Sequence, residues 1–439
     1  MRAMAFDPFA KITDQPLWRA EMTLPEIPAA QIEPREDVVV VGSGFSGLHT
    51  ALHLARGDRS VVVIDAGDVG HGCSTRNGGQ VSSEIKPDLE GLTRTYGAAG
   101  AMRVLRTGLN AHRYLREFVR AEGIACDYNV CGHFVGAHRL DRMAGLEAFG
   151  ALQRKIGTEA EIVPKARVGD YIDSPHFHGG LHLPDWSSVH PGRLVAELVR
   201  LCLAEGVRIV PQCRADHIED HGDHMSLTAN GKAICAENVV MGTDGYTDGA
   251  SKWMRRRIVS LASVVMATRA MPKDEVAALY PRNSMIYDTR MNVSYHRASP
   301  DGDRVVMGTV VPVDHDRMAD CYPRARGNML RVFPQLENVA LEHVWSGWVG
   351  ATFNHLPQVG LRGRMGYAIG YNGTGVAMSA YLGRALARRM LGQPGGETGL
   401  DQVKFETRPL FNGQTWYRRP VLAWHDLKDR LPSRGATIG

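Results

Sequence analysis

Three glycines, Gly42, Gly44 and Gly47, follow the valine run Val38–Val41 and lead into apolar positions Leu48, Ala51, Leu52 and Ala55 at helical spacing. Strand, glycine turn and helix in that order can cradle a pyrophosphate. The first glycine permits a tight turn, the second lets backbone approach the phosphates, and the third lets helix pack on strand. Phe45 and Ser46 open the helix, whose free N–H groups carry partial positive charge toward an anion. A second β-branched run, "SVVVIDAG", ends on Asp65 and Ala66, about 20 residues on, where an acidic side chain can hold ribose hydroxyls. These residues predict a dinucleotide site.

The segment "GHGCSTRNGGQVSS" narrows the choice of dinucleotide. A nicotinamide enzyme would continue there with a helix, whereas this chain stays in a small-residue loop. Gly72, Cys73, Ser74, Arg76, Asn77, Gly78, Gly79 and Gln80 can bring backbone N–H groups against an extended cofactor and its ring, which favours FAD. Two later turns have the same character. "NVVMGTDGYTD" is a strand ending in Gly242 and Thr243. "GYNGTGV" supplies Gly370, Asn372, Gly373, Thr374, Gly375 and Val376 ahead of a helix. That helix start can direct partial positive charge at the flavin edge where negative charge develops on reduction.

The stretches "VVVVGSGFSGLHTALHLA", "VVVIDAGDVGHGCSTRNGGQ" and "GYAIGYNGTGVAMSAYLGRALARRMLG" resemble the D-amino-acid oxidase family of FAD-dependent oxidoreductases. The similarity runs over most of residues 37–395, with "RNGGQ" its most specific piece, and points to the γ-glutamylputrescine oxidase and glycine/sarcosine oxidase-like branch. The resemblance implies an α/β fold: a Rossmann-type FAD-binding domain interleaved with a substrate domain built on a mixed β-sheet. It implies hydride transfer from a C–H bond next to nitrogen onto flavin N5, and places Arg214 and Ala215 near the adenine. On this basis residues 1–36 form an extension. Segments 37–90, 181–256 and 345–395 form the FAD domain, 91–180 and 257–344 the substrate domain, and 396–439 a tail packed on the body.

Substrate contacts are expected after Arg257, where "SMIYDTRMNVSYHRASPDGDRVVMGTV" reads as two strands joined by Pro300-Asp301-Gly302. Tyr287 and Tyr295 can line a pocket, with Tyr371 from the closing turn, and Arg290 and Arg297 can receive a carboxylate bidentately. Strand alternation puts Tyr295 and Arg297 on one face and His296 on the other. His296 and His355 titrate near neutrality and are the candidates for tuning amine protonation.

Departures from the family pattern carry information. Some relatives bind FAD covalently through a histidine in the first glycine-rich loop or a cysteine near the last; here Arg76 stands near the histidine position and no cysteine follows Tyr322. Non-covalent FAD is expected. Sarcosine-oxidase-like relatives use a lysine for reaction with oxygen on the strand that here reads "DRVVMG", so Arg76 or Arg304 would have to replace it. Oxygen remains the expected acceptor.

The whole chain sets bounds. Its 439 residues suggest two domains. A net charge of +4 with scattered arginines gives no basis for nucleic-acid binding. Seven unpatterned cysteines suit a reducing compartment, and no run is long enough for a membrane span, so a cytoplasmic protein is expected. No metal is expected: His176, His178, His182 and His190 read as loop and surface histidines. The resulting reading is oxidation of an amine or amino acid, secondary or N-substituted, to an imine hydrolysed to aldehyde or keto acid, with hydrogen peroxide as second product. Three alternatives stand beside it: a flavin dehydrogenase of a 2-hydroxy acid, an amine dehydrogenase using another acceptor, and a non-catalytic redox-sensing flavoprotein.

Overall fold

The computed structural model describes residues 6–310, 315–414 and 418–431. Two eight-stranded sheets dominate it. In the first, Arg35–Val41 lies between Val61–Ile64 and Lys232–Met241, all parallel, with Arg208–Val210 beyond Val61–Ile64 and Met365–Ile369 beyond Lys232–Met241. The valine run is buried on both faces, as its continuous apolar pattern requires. Val38 and Val40 face one core with the helices Phe45–Ala55, Pro191–Ala204 and Gly375–Met390. Val39 and Val41 face another, formed with Met225, Leu227 and Ile369. This alternation is the period-2 geometry of a strand.

The second sheet runs Leu341–Ala351, Val259–Thr268, Val305–Thr309, Ser294–Ala298, Met285–Asp288, His133–Gly136, Gly179–Leu183, Glu161–Pro164. Its pairs are antiparallel except Met285–Asp288 with His133–Gly136, which makes it mixed. The stretch read as one strand before the Pro300 turn is two strands. Asp288 causes the break: its carboxylate accepts the N–H groups of Arg290 (3.2 Å) and Ser294 (3.1 Å) and folds residues 289–293 into a loop.

Three expected boundaries move. Gly179–Leu183 and Leu341–Ala351 both belong to the second sheet, so the chain leaves that sheet after 183 and again after 351, rather than at 181 and 345. The long helix Leu89–Ala121, expected with the substrate domain, instead packs Val104, Leu105, Ala111 and Leu115 into the core beside the first sheet. The N-terminal arm docks through Leu17 and Trp18, both buried, and Trp18 donates its indole N–H to Asn77 O at 2.6 Å. In the tail Phe405 meets Trp253 edge-on and lies tilted against Tyr367, and Phe411 meets Phe353; Trp416 lies outside the described residues.

Candidate cofactor and active site

A cavity of about 1240 Å³ opens between the two sheets, lined by residues from both. Its inner part is the glycine cradle. Gly42 has φ +106°, and a Cβ there would stand 3.0 Å from Gly242 O. A Cβ on Gly47 would overlap Gly42 O, so this glycine permits the close packing of helix on strand and is not itself in the wall. Gly44, Phe45, Ser46, Asp65, Ala66, Arg214, Ala215, Gly242 and Thr243 all line the cavity. Asp65 is held by Ser43 N (2.8 Å), Ser43 Oγ (2.6 Å) and Gly67 N (2.9 Å), which orient its carboxylate at the end of the second strand.

The "RNGGQ" loop lines the same cavity. Gly72, Cys73, Ser74, Arg76, Asn77, Gly78 and Gln80 face it. Ser74 Oγ accepts the Phe45 N–H at 2.8 Å and so ties the loop to the first helix start. Both loop glycines are required by what presses on them: a Cβ on Gly78 would meet the Tyr295 ring at 2.6 Å, and one on Gly79 would overlap Val189 O. Gly79 therefore faces protein and not cofactor, a correction to its expected role. Arg76 donates to His71 O (2.7 Å) and Ser346 O (3.1 Å), and its own carbonyl accepts the Trp345 indole N–H.

At the closing turn Asn372, Gly373, Thr374, Gly375 and Val376 line the cavity. Gly373 has φ +91° and open space where a Cβ would stand, a cradle a ligand can approach closely. Gly370 does not line the cavity; its φ of +77° and the Thr352 side chain, 2.4 Å from where a Cβ would stand, make it a turn residue. Tyr371, expected to touch substrate, shares a 2.6 Å hydrogen bond with Ser46 Oγ and donates to Ala368 O. It joins the first and last glycine turns.

Asp244 was not anticipated. It lies in the cavity wall at φ +40°, and its carboxylate accepts the N–H groups of Gly350 (2.9 Å), Gly370 (2.8 Å) and Tyr371 (3.4 Å). Burial pushes its pKa up against the pull of those donors. One side chain thus fixes three chain segments around the cavity. The "NVVMGTDGYTD" stretch pointed to the cofactor turn at Gly242 and Thr243, but no local pattern reveals partners of Asp244 more than 100 residues away.

The outer part of the cavity is walled by Ser82, Glu84, Lys86, His133, Arg142, Tyr287, Met291, Val293 and Tyr295. Tyr295 shares a hydrogen bond with Ser263 Oγ at 3.1 Å, and burial pushes its phenol up to about 12. Glu84 pairs with Lys86 at 2.9 Å. His355 stands exposed at the rim with φ +55°, its pKa lowered by partial desolvation and by Lys86. The helix Arg418–Arg430 adds Trp424, His425 and Lys428, whose only sequence signal was an aromatic and a cation one turn apart.

Three expected site residues lie elsewhere. His296 is in the core behind the sheet, against Phe333 and 3.0 Å from Tyr280 Oη, and burial pulls its pKa down to about 3. Arg297 shares the Tyr295 face but ends behind the loop, donating to Val189 O and Ala298 O. Arg290 is ion-paired with Asp288 and lines a separate cavity with His138, His176 and Asp429. Its place follows from the 289–293 loop that the single-strand reading missed. Arg304 is likewise remote, paired with Glu342. Of the clustered histidines, His190 caps the helix Pro191–Ala204 and His182 lies 3.9 Å from Glu161.

Glycine turns at three places, an oriented acid after the second strand and a cavity spanning both sheets fit an extended dinucleotide. A family model for FAD-dependent oxidoreductases matches residues 37–389. The chain belongs to that family. FAD is therefore the cofactor this cradle is built for. The chain is 28% identical to the γ-glutamylputrescine oxidoreductase of Escherichia coli, over 90% of this chain and 93% of that protein. It is 27% identical to the probable oxidoreductase OrdL of Rhizobium meliloti, over 94% and 97%. Among solved structures, glycine oxidase from Geobacillus kaustophilus superposes with a TM-score of 0.71 at 18% identity, covering 86% of this chain and 99% of that one. Iminodiacetate oxidase from Chelativorans sp. gives 0.65 at 18%, covering 83% and 98%. At these identities the structural likeness establishes the fold. Among the described residues, no helix is long and apolar enough to cross a membrane.

Proposed function

We propose that this flavoprotein oxidises a secondary or N-substituted amine or amino acid, with oxygen as acceptor. The amine loses a hydride from carbon and a proton from nitrogen; the imine formed takes up water and splits to a carbonyl compound and an amine. Oxygen gains the two electrons and two protons and leaves as hydrogen peroxide. Bound FAD supplies the two-electron acceptor between them.

The observation that carries the reading is the aromatic and apolar wall of the outer cavity, while His296, the histidine expected from sequence to serve as base for a 2-hydroxy acid, lies in the core away from it. An amine bound neutral needs only positioning over the acceptor and exclusion of water. Tyr287, Tyr295 and Val293 provide such walls, and His355 at the rim can take the ammonium proton on entry. The relatives whose names specify γ-glutamylputrescine, glycine and iminodiacetate as substrates support an amine. Arg76, held in the cavity wall beside Gly347, is a cation available to favour reaction with oxygen. Attachment of FAD is non-covalent in this reading: Arg76 stands near the position of the linking histidine, no cysteine follows Tyr322, and burial pushes the Cys73 thiol up to about 12.

The test is an anaerobic visible spectrum of the FAD-loaded protein before and after addition of N-substituted amino acids, polyamine conjugates and 2-hydroxy acids. Bleaching by an amine supports the proposal, and rapid recovery of colour in air identifies oxygen as acceptor. Bleaching by hydroxy acids alone sinks it. No bleaching by any of them turns the reading to a non-catalytic flavoprotein.

A further inference from the structure

We propose that Lys428, on the helix Arg418–Arg430, receives a carboxylate at the end of the substrate remote from the reacting nitrogen. The proposal rests on the amine-oxidising reading above and names the substrate class: an amine whose alkyl arm ends in a carboxylate.

The helix is built into the chamber wall. Asp429 accepts the N–H groups of Met291 (2.8 Å) and Asn292 (3.3 Å), and Asn292 Nδ2 donates to Leu422 O at 3.1 Å. Met291 itself lines the cavity, so the loop that closes the substrate sheet also clamps this helix over it. Trp424 and Lys428, one turn apart, face the same cavity, with Lys428 Nζ 5.3 Å from the Trp424 ring centroid. Trp424 is 54% exposed, an apolar face left beside the cation.

The other cations of the wall are placed differently. Arg76 is spread over two carbonyls, Lys86 is matched by Glu84, and Arg214 is held by Asp216 and Asp248. Arg142 is buried in the wall. Lys428 has only the Trp424 ring beside it among the described residues. Glu84 is offset by Lys86, so the exposed Lys428 adds positive charge toward an entering anion. The arginines that sequence alone offered for a carboxylate, Arg290 and Arg297, do not reach this space. A lysine on a flexible four-carbon stem can follow carboxylates on arms of different length, with Trp424 packed along the arm.

Hexanoate and hexanamide, which have the same chain and differ in charge, serve as unreactive probes. Each is titrated into the FAD-loaded full-length protein, and binding is read from the perturbation of the flavin absorbance. A charge-assisted hydrogen bond at the low end of its range corresponds to about tenfold in Kd. The wild type should bind hexanoate about tenfold more tightly than hexanamide. Lys428→Met, which keeps helix propensity, should remove the preference, and Lys428→Arg should restore it. Equal binding by the wild type, failure of either probe to perturb the flavin, or a preference that survives in Lys428→Met would overturn the proposal. If the preference is present while no amine bleaches the flavin, the reaction class is wrong and the carboxylate site stands.

Discussion

Replacing Asp244 by alanine would strip the acceptor that Gly350, Gly370 and Tyr371 share and leave their N–H groups buried behind the cofactor cradle. The two short bonds, at 2.9 and 2.8 Å, dominate. An orphaned buried donor costs roughly 1–3 kcal/mol, so two give about 2–6 kcal/mol. Against this stands the burial of the charge itself. The Asp244 pKa is raised, so holding the carboxylate ionised opposes folding, and its removal recovers part of the loss. A net destabilisation of roughly 2–4 kcal/mol follows. For 439 residues the unfolding entropy is about 0.9 kcal/mol/K, so the Tm of the FAD-free chain should fall by about 2–4 °C. FAD affinity should fall further, by about tenfold, because the glycine turns at 242 and 370–375 lose their common anchor. Differential scanning calorimetry gives the first quantity and fluorescence titration with FAD the second. A variant within 1 °C of wild type that binds FAD with unchanged Kd would refute the anchoring role.

Two further perturbations separate fold from site. Gly47→Ala forces a Cβ onto Gly42 O and should unfold or abolish FAD binding outright, whereas Gly373→Ala meets no protein atom and should cost the apo fold about 1–2 kcal/mol while weakening FAD; equal effects of the two on urea midpoint and FAD titration would contradict this. His296→Phe should keep kcat within a few-fold, since the residue lies outside the cavity. The same variant should change acid stability. His296 has a folded pKa pulled down to about 3 from an ordinary value of 6.5, so its stabilising contribution is present above pH 6.5 and is lost as pH falls toward 3. Urea midpoints at pH 7.5 and 5 should therefore differ less in His296→Phe than in wild type, and an unchanged difference would rule out this histidine as an acid-sensitive group.

Local pattern was sufficient for the cofactor half of the molecule. Val38–Val41 and the three glycines form one contiguous strand, turn and helix, Asp65 follows at the end of the next strand, and the spacing that marks the site lies within this one short stretch of chain. The "RNGGQ" loop was visible for the same reason, although the pressure of Tyr295 on Gly78 that demands glycine comes from the other sheet. Alternation along Ser294–Ala298 placed Tyr295 and Arg297 on one face and His296 on the other. It could not say how far along that face the cavity extends, and so could not separate Tyr295, in the wall, from Arg297, behind the loop.

Tertiary structure decided the substrate half. Asp288 folds a loop where pattern read a continuous strand, which carries Arg290 into a different cavity and presents Met291 and Asn292 to a helix more than 120 residues later. Asp244 has no local signature because its partners arrive from distant segments, and the Trp424–Lys428 pair joins the cavity only because Asp429 holds its helix to Met291 and Asn292. The sequence by itself determined the family, the FAD cradle and the strand faces, since these depend on short-range spacing and backbone sterics. Which side chains share the substrate chamber depends on long-range contacts between two sheets and a C-terminal helix, and only the folded chain brings those together.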